Sequence, residues 1–232
     1  LRRYKFTPDS AFGGIYWNMD TKGVRFPSKN EPNPDQLEPG GGPQVLPGEY
    51  WVKAEYMGYR DSMKVKVIDD PRLQISAAER TAKNTAIRDL HKTVERVTKA
   101  YDRLKEAEKT IGLVESQWAN VPDSTKKDAL KAGSALKDSI NVLKERFFMH
   151  KEPKGIQRNP ESMNGDLFRA LNYIGENTGA PNAAAQTAVS KAKRNADELI
   201  EKVNRLFDGP WKDYRAKVET IRYSLFKEFE RL

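Results

Sequence analysis

Apolar and polar residues alternate through residues 49–57. Tyr50, Val52, Ala54 and Tyr56 fall on one side of an extended chain and Lys53 and Glu55 on the other. A period of two predicts a strand with one face in water. Gly58 and Tyr59 follow as a tight turn, and Met63, Val65 and Val67 then alternate with Lys64 and Lys66. The two runs predict a β-hairpin. Ile15, Tyr16 and Trp17 predict an earlier strand, with Tyr4 to Phe6 as a first. Between about residues 22 and 48 lie Pro27, Pro32, Pro34, Pro39, Gly40, Gly41, Gly42, Pro43 and Pro47. No helix runs through such a stretch, which reads as a long loop.

After Asp70-Pro71 the period lengthens to that of a helix. Ile87, Leu90, Val94, Val97, Tyr101, Leu104, Ile111, Val114 and Trp118 keep a stripe spacing of three and four residues, with one weak position at Glu108. One long amphipathic helix is expected from 76 to about 118, opened by a Ser76/Glu79 capping box. Residues 120–123 break the chain. A second helix over about 124–149 carries Leu136, Ile140, Leu143 and Phe147, and an inward Gly133 predicts a close helix contact. A polar linker, 151–163, precedes a short third helix around Leu167, Phe168, Leu171 and Ile174. A fourth follows from about 182 to 207, and Gly209-Pro210 starts a fifth that continues toward Leu232. Helices joined by short breaks favour an antiparallel bundle, because no apolar stripe is buried alone. An extended coiled coil fits less well, since stripes of differing length and bulk complement one another better than copies of themselves.

The chain of 232 residues is 38% hydrophobic and 32% charged, enough for two compact units. Expected boundaries are 1–70 for a β-domain and 71–232 for the helical bundle. With no cysteine, disulfides, thiolate zinc sites and a Cys nucleophile are excluded together. No run of about 18 apolar residues predicts a membrane span, and residues 1–6 lack the apolar core of a signal peptide. The net charge of +8 falls on one side: residues 1–70 carry 10 basic and 10 acidic side chains, and the rest carry 31 and 23. There, acids and bases alternate, as in Lys105, Glu106, Glu108 and Lys109, which is how a solvated helix face reads. A nucleic-acid footprint would cluster one sign, so no nucleic-acid partner is expected.

The residues Tyr16-Trp17-Asn18, then Gly23, then Leu46-Pro47-Gly48-Glu49-Tyr50-Trp51-Val52 and a hairpin ending Val65-Lys66-Val67 resemble the closing motif of Ig-like domains of the flagellar hook-capping type. From Leu1 through the helical half, the chain is similar to the C-terminal region of secreted bacterial proteins with sortilin-type, BNR-repeat β-propellers, often labelled glycosyl hydrolases. That resemblance implies an α+β multidomain chain: a small antiparallel Ig-like β-sandwich fragment followed by an antiparallel helical bundle. It also implies a secreted, periplasmic or cell-envelope location. Ig-like domains of this kind have about seven strands, and residues 1–70 offer four or five. Leu1 is therefore expected to lie inside a longer polypeptide, with an open sheet edge available for self-association.

Chemistry is sought and not found. His91 sits on a polar helix flank and His150 ends a helix, and neither has the Ser and Asp pattern of a triad. No H-E-x-x-H, Glu-x-x-His or EF-hand spacing occurs, so no metal and no cofactor is expected. Gly40-Gly41-Gly42 has no Gly-Lys-Ser/Thr after it and reads as a flexible loop. Asp69-Asp70 marks a strand exit and not a glycosidase dyad. Trp17 and Tyr50 are expected as core aromatics of the small sheet. Trp51, on the face opposite Tyr50, is the candidate for an exposed ligand or partner contact. The expected function is a non-catalytic accessory module packing against a preceding propeller, whose own domain would hold any hydrolase site. A glycan- or protein-binding module using Trp51 is the alternative, and nucleic-acid binding by the basic bundle a third.

Overall fold

The computed structural model describes residues 1–5, 7, 13–34, 38–118, 121–148 and 162–221. Two strands, β1 (Gly48–Tyr56) and β2 (Tyr59–Val67), precede five helices: α1 (Ala77–Gln117), α2 (Asp123–Glu145), α3 (Met163–Glu176), α4 (Ala183–Asp208) and α5 (Pro210–Glu219). The chain divides into two compact units. One comprises Leu1–Arg25, Lys29–Lys92 and Arg169–Val189; the other comprises Phe26–Ser28, Thr93–Phe168 and Ser190–Leu232. Asp70-Pro71, where the periodicity changes, lies inside the first, and α1, α3 and α4 each contribute residues to both.

In the first unit β1 and β2 pair antiparallel from Gly48↔Val67 to Tyr56↔Tyr59. This corrects the expected Ig-like β-sandwich. Among the described residues the only sheet has two strands, so there is no second sheet to face it. Ile15, Tyr16 and Trp17 form no strand, and Tyr16 stands 91% exposed. What occupies that place is two irregular segments, 19–23 and 39–45, running in opposite directions. The Thr21 amide donates to the Pro43 carbonyl at 2.9 Å, the Gly23 amide to Pro39 at 3.0 Å and the Val45 amide to Met19 at 2.7 Å. One isolated bridge, Asp20↔Gln44, is all that becomes regular. The reason is chemical: Pro39 and Pro43 accept hydrogen bonds but have no N–H to return.

Glycine permits the close approach. A Cβ on Gly23 would collide with the Gly40 carbonyl oxygen, and one on Gly42 with the carbonyl oxygens of Thr21 and Lys22. Residues 40–42, expected as a flexible loop, are thus one side of a backbone-on-backbone contact. Arg2 closes it by donating from Nη1 to the Asp20 carboxylate at 2.5 Å and to the Thr21 carbonyl at 3.3 Å. The Trp17 indole donates to Asp20 O at 2.9 Å, and its ring meets Tyr50 edge-on at 6.0 Å. Both were expected as core aromatics of the sheet, and both are only half-buried.

The helical part of this unit begins as the capping box requires. The Glu79 amide donates to Ser76 Oγ at 3.2 Å and the Ser76 amide returns to Glu79 Oε2 at 2.9 Å. Asn84 Nδ2 donates to the Gln44 carbonyl at 2.8 Å, and Arg80 pairs with Asp69 at 2.9 Å. Lys83 Nζ caps the end of α3 by donating to the Gly175 carbonyl at 2.9 Å and to that of Asn177. Burial holds the Lys83 ammonium below the usual lysine range.

In the second unit α1 and α2 run antiparallel, shown by the ion pairs Glu115–Lys137 at 2.5 Å and Glu108–Lys144 at 2.6 Å. Tyr101 meets Phe147 at 5.0 Å between ring centroids. Val97, Leu104, Ile111, Ile140, Leu167 and Val203 are buried, as the 3-4 spacing predicts. α2 also packs on α5. A Cβ on Gly133 would come within 3.1 Å of both the Tyr214 ring and Glu115, which is the close contact the inward glycine foretells. Pro210 occupies the first turn of α5, where its missing N–H costs nothing.

Candidate functional site

The hairpin is where large apolar side chains meet solvent. Its register sorts them: Tyr50, Val52, Ala54 and Tyr56 share a face with Val65, Met63, Asp61 and Tyr59, while Glu49, Trp51, Lys53 and Glu55 share the other with Lys66, Lys64, Ser62 and Arg60. The apolar face is half-covered only at its base. Toward the tip Val52 is 43%, Met63 60%, Tyr56 62% and Tyr59 82% exposed. A two-stranded hairpin is marginally stable on its own in water, and this one leaves its most apolar surface uncovered.

The tip is unusual in its chemistry. Met57 has φ 48° and Gly58 φ 87°, so the pair forms the two central positions of a type I′ turn. Sequence reading places the turn at Gly58 and Tyr59; the structure moves it one residue back and pairs Tyr59 with Tyr56. A left-handed φ suits Asn or Gly at the first central position, and Met there is strained. Met57 is also exposed. Strain and exposure together hold a flexible thioether between two tyrosines at the end of the hairpin. The signal for this was legible: Tyr-Met-Gly-Tyr between two alternating runs leaves only Met57-Gly58 for a two-residue loop.

Trp51, the sequence candidate, is 59% exposed on the polar face. The Lys64 ammonium lies 5.5 Å from its ring centroid, and Lys64 also pairs with Glu49 at 3.3 Å. One face of the indole is thereby covered by a cation within the hairpin itself. Arg60 and Glu55 pair at 3.3 Å nearer the tip. Trp51 therefore stands among charges, on the far side of the sheet from Tyr56, Tyr59 and Met63.

Elsewhere, His91 is buried and partnered, where a polar flank was expected. His150 and residues 151–161 of the expected linker lie outside the described residues. Among the described residues no group of three or more His, Cys, Asp or Glu side chains converges as a metal site requires. No described helix is long and apolar enough to cross a membrane. No family model, no curated protein and no solved structure matches this chain.

Proposed function

We propose that this chain is a non-catalytic accessory module that docks onto a folded protein neighbour through its β-hairpin. The carrying observation is the exposed apolar face and strained tip of Val52, Tyr56, Met57, Tyr59 and Met63. Large aromatic and thioether side chains in one patch are the composition of protein contact surfaces. The motif resemblance supports a β-propeller of a secreted or cell-envelope protein as that neighbour. Glycan stacking on Trp51 is disfavoured by Lys64 above its ring.

A photo-crosslinking amino acid at Tyr59, introduced into the natural gene in its own cell, tests the reading. An adduct with a folded protein domain is expected, and none above background at Thr187, an exposed position of α4. A glycan adduct, or no adduct above the Thr187 level, overturns it.

A further inference from the structure

The two edges of the hairpin differ in a way that selects what pairs with them. In a hairpin closed by a two-residue turn, Tyr56 and Tyr59 form a hydrogen-bonded pair, and every second pair below them does the same. The backbone groups of Tyr50, Val52 and Ala54 therefore point into the hairpin. Those of Glu49, Trp51, Lys53 and Glu55 point outward from β1, and those of Arg60, Ser62, Lys64 and Lys66 outward from β2. Among the described residues no third strand joins either edge.

The β2 edge presents Arg60, Lys64 and Lys66 with no acid among its outward residues. Cations on an edge are a defence against strand addition, and two copies meeting there would bring like charges together. The β1 edge reads Glu49, Trp51, Lys53, Glu55, with acids and a base interspersed. Across a two-fold axis at Trp51, antiparallel pairing sets Glu49 opposite Lys53 of the other copy at both ends and Trp51 opposite its own image. An axis at Val52 would set Glu49 against Glu55, and one at Lys53 would set Lys53 against itself. An axis at Ala54 also matches charges, Lys53 against Glu55, but aligns fewer outward backbone groups, because β1 ends at Tyr56.

We infer that β1 pairs with β1 of a second copy of this chain, about a two-fold axis at Trp51, to make a four-stranded antiparallel sheet. The outward amides and carbonyls of Glu49, Trp51 and Lys53 are satisfied at once, and the apolar face of Val52, Tyr56, Tyr59 and Met63 becomes twice as wide. Four strands with one apolar face pass the size at which a sheet supports itself. The inference rests on the docking reading above and names one occupant for the hairpin's edge.

Charge exchange tests it on the full chain. Lys53 faces Ser62 within the hairpin, so Lys53→Glu removes no ion pair with its cross-strand neighbour. It does bring the new carboxylate against Glu49 of the second copy. Glu49→Lys brings a new ammonium against Lys53 instead, and also gives up the Glu49–Lys64 pair within its own hairpin, so Lys53→Glu is the cleaner of the two. Sedimentation equilibrium should show the wild-type chain dimerising, and each variant associating about tenfold more weakly or worse. A one-to-one mixture of the two variants restores complementarity and should recover most of the lost association, as should the double exchange within one chain. Circular dichroism checks that each variant keeps its helices.

A monomeric wild-type chain, or single variants that dimerise as well as it does, overturns the inference. A mixture no stronger than either variant alone overturns it too. If the chain is monomeric while Tyr59 still crosslinks to another protein, self-pairing fails and the docking reading stands. If neither occurs, both fall.

Discussion

Met57 and Tyr214 are two residues whose surroundings cost stability, one on the surface and one in the interior. Met57 adopts a left-handed conformation that Asn takes more readily, so Met57→Asn should stabilise the hairpin by about 0.5–1 kcal/mol. Amide exchange of residues 50–65 reads the effect, and faster exchange in the variant would refute it. Tyr214 is 3% exposed and its hydroxyl has no hydrogen-bond partner among the described residues. Burial, helped by the nearby Glu115 carboxylate, pushes that hydroxyl up to about 12. The unfolded chain releases the same proton near pH ~10. Because the folded value is the higher one, stability holds level below about pH 10 and falls as pH rises toward 12, where the unfolded chain loses the proton first. Tyr214→Phe should therefore melt no lower than wild type at pH ~7, an orphaned hydroxyl having been removed. At about pH 11 it should melt higher, and equal melting temperatures there would contradict the assignment.

At the scale of elements, the helices were legible and the β part only half so. Ser76, Glu79, Gly133 and Pro210 each announce a cap, a close contact or a start by chemistry local to a few residues, and the structure uses each as announced. The hairpin was legible by its period of two. A sandwich was not there to be read, because strand-like aromatics at 15–17 and 50–52 cannot say whether a second sheet exists. That depends on partners distant in sequence. The glycines of 40–42 misled for a related reason: composition shows conformational freedom, and only tertiary contact shows that Gly23 and Gly42 use it for main-chain approach. Gly23→Ala or Gly42→Ala should cost about 2–3 kcal/mol, since the atoms met are backbone and cannot swing aside. Chemical denaturation measures this. The neighbouring Gly41→Ala makes no such collision, so its loss should trace to its φ of 75° alone and be smaller, about 1 kcal/mol.

For the molecule as a whole, charge is the property most open to misreading. The excess of +8 is interleaved with acids along helices, and many bases are paired, as Arg96 is with Asp197, Arg205 with Glu201 and Arg215 with Glu219. Binding to duplex DNA near physiological salt should therefore be no tighter than about 10⁻⁴ to 10⁻⁶ M. Fluorescence anisotropy giving a nanomolar, sequence-selective constant would overturn this. The exposure of Trp51 was legible in the sequence, but the apolar face of Val52, Tyr56, Tyr59 and Met63 was not picked out, because alternation names two faces without saying which one the fold covers. The prolines around the glycine contact have a further effect, felt before any contact forms. Pro27, Pro32, Pro34, Pro39, Pro43 and Pro47 already confine the backbone of the unfolded chain, which offsets part of the conformational entropy that the neighbouring glycines surrender when the region orders. An arrangement with few regular hydrogen bonds can persist because its disordered alternative is itself restricted. Pro47 is exposed, so Pro47→Ala loses little packing. It should still lower stability by about 0.4–1 kcal/mol, a cost that originates wholly in the unfolded ensemble.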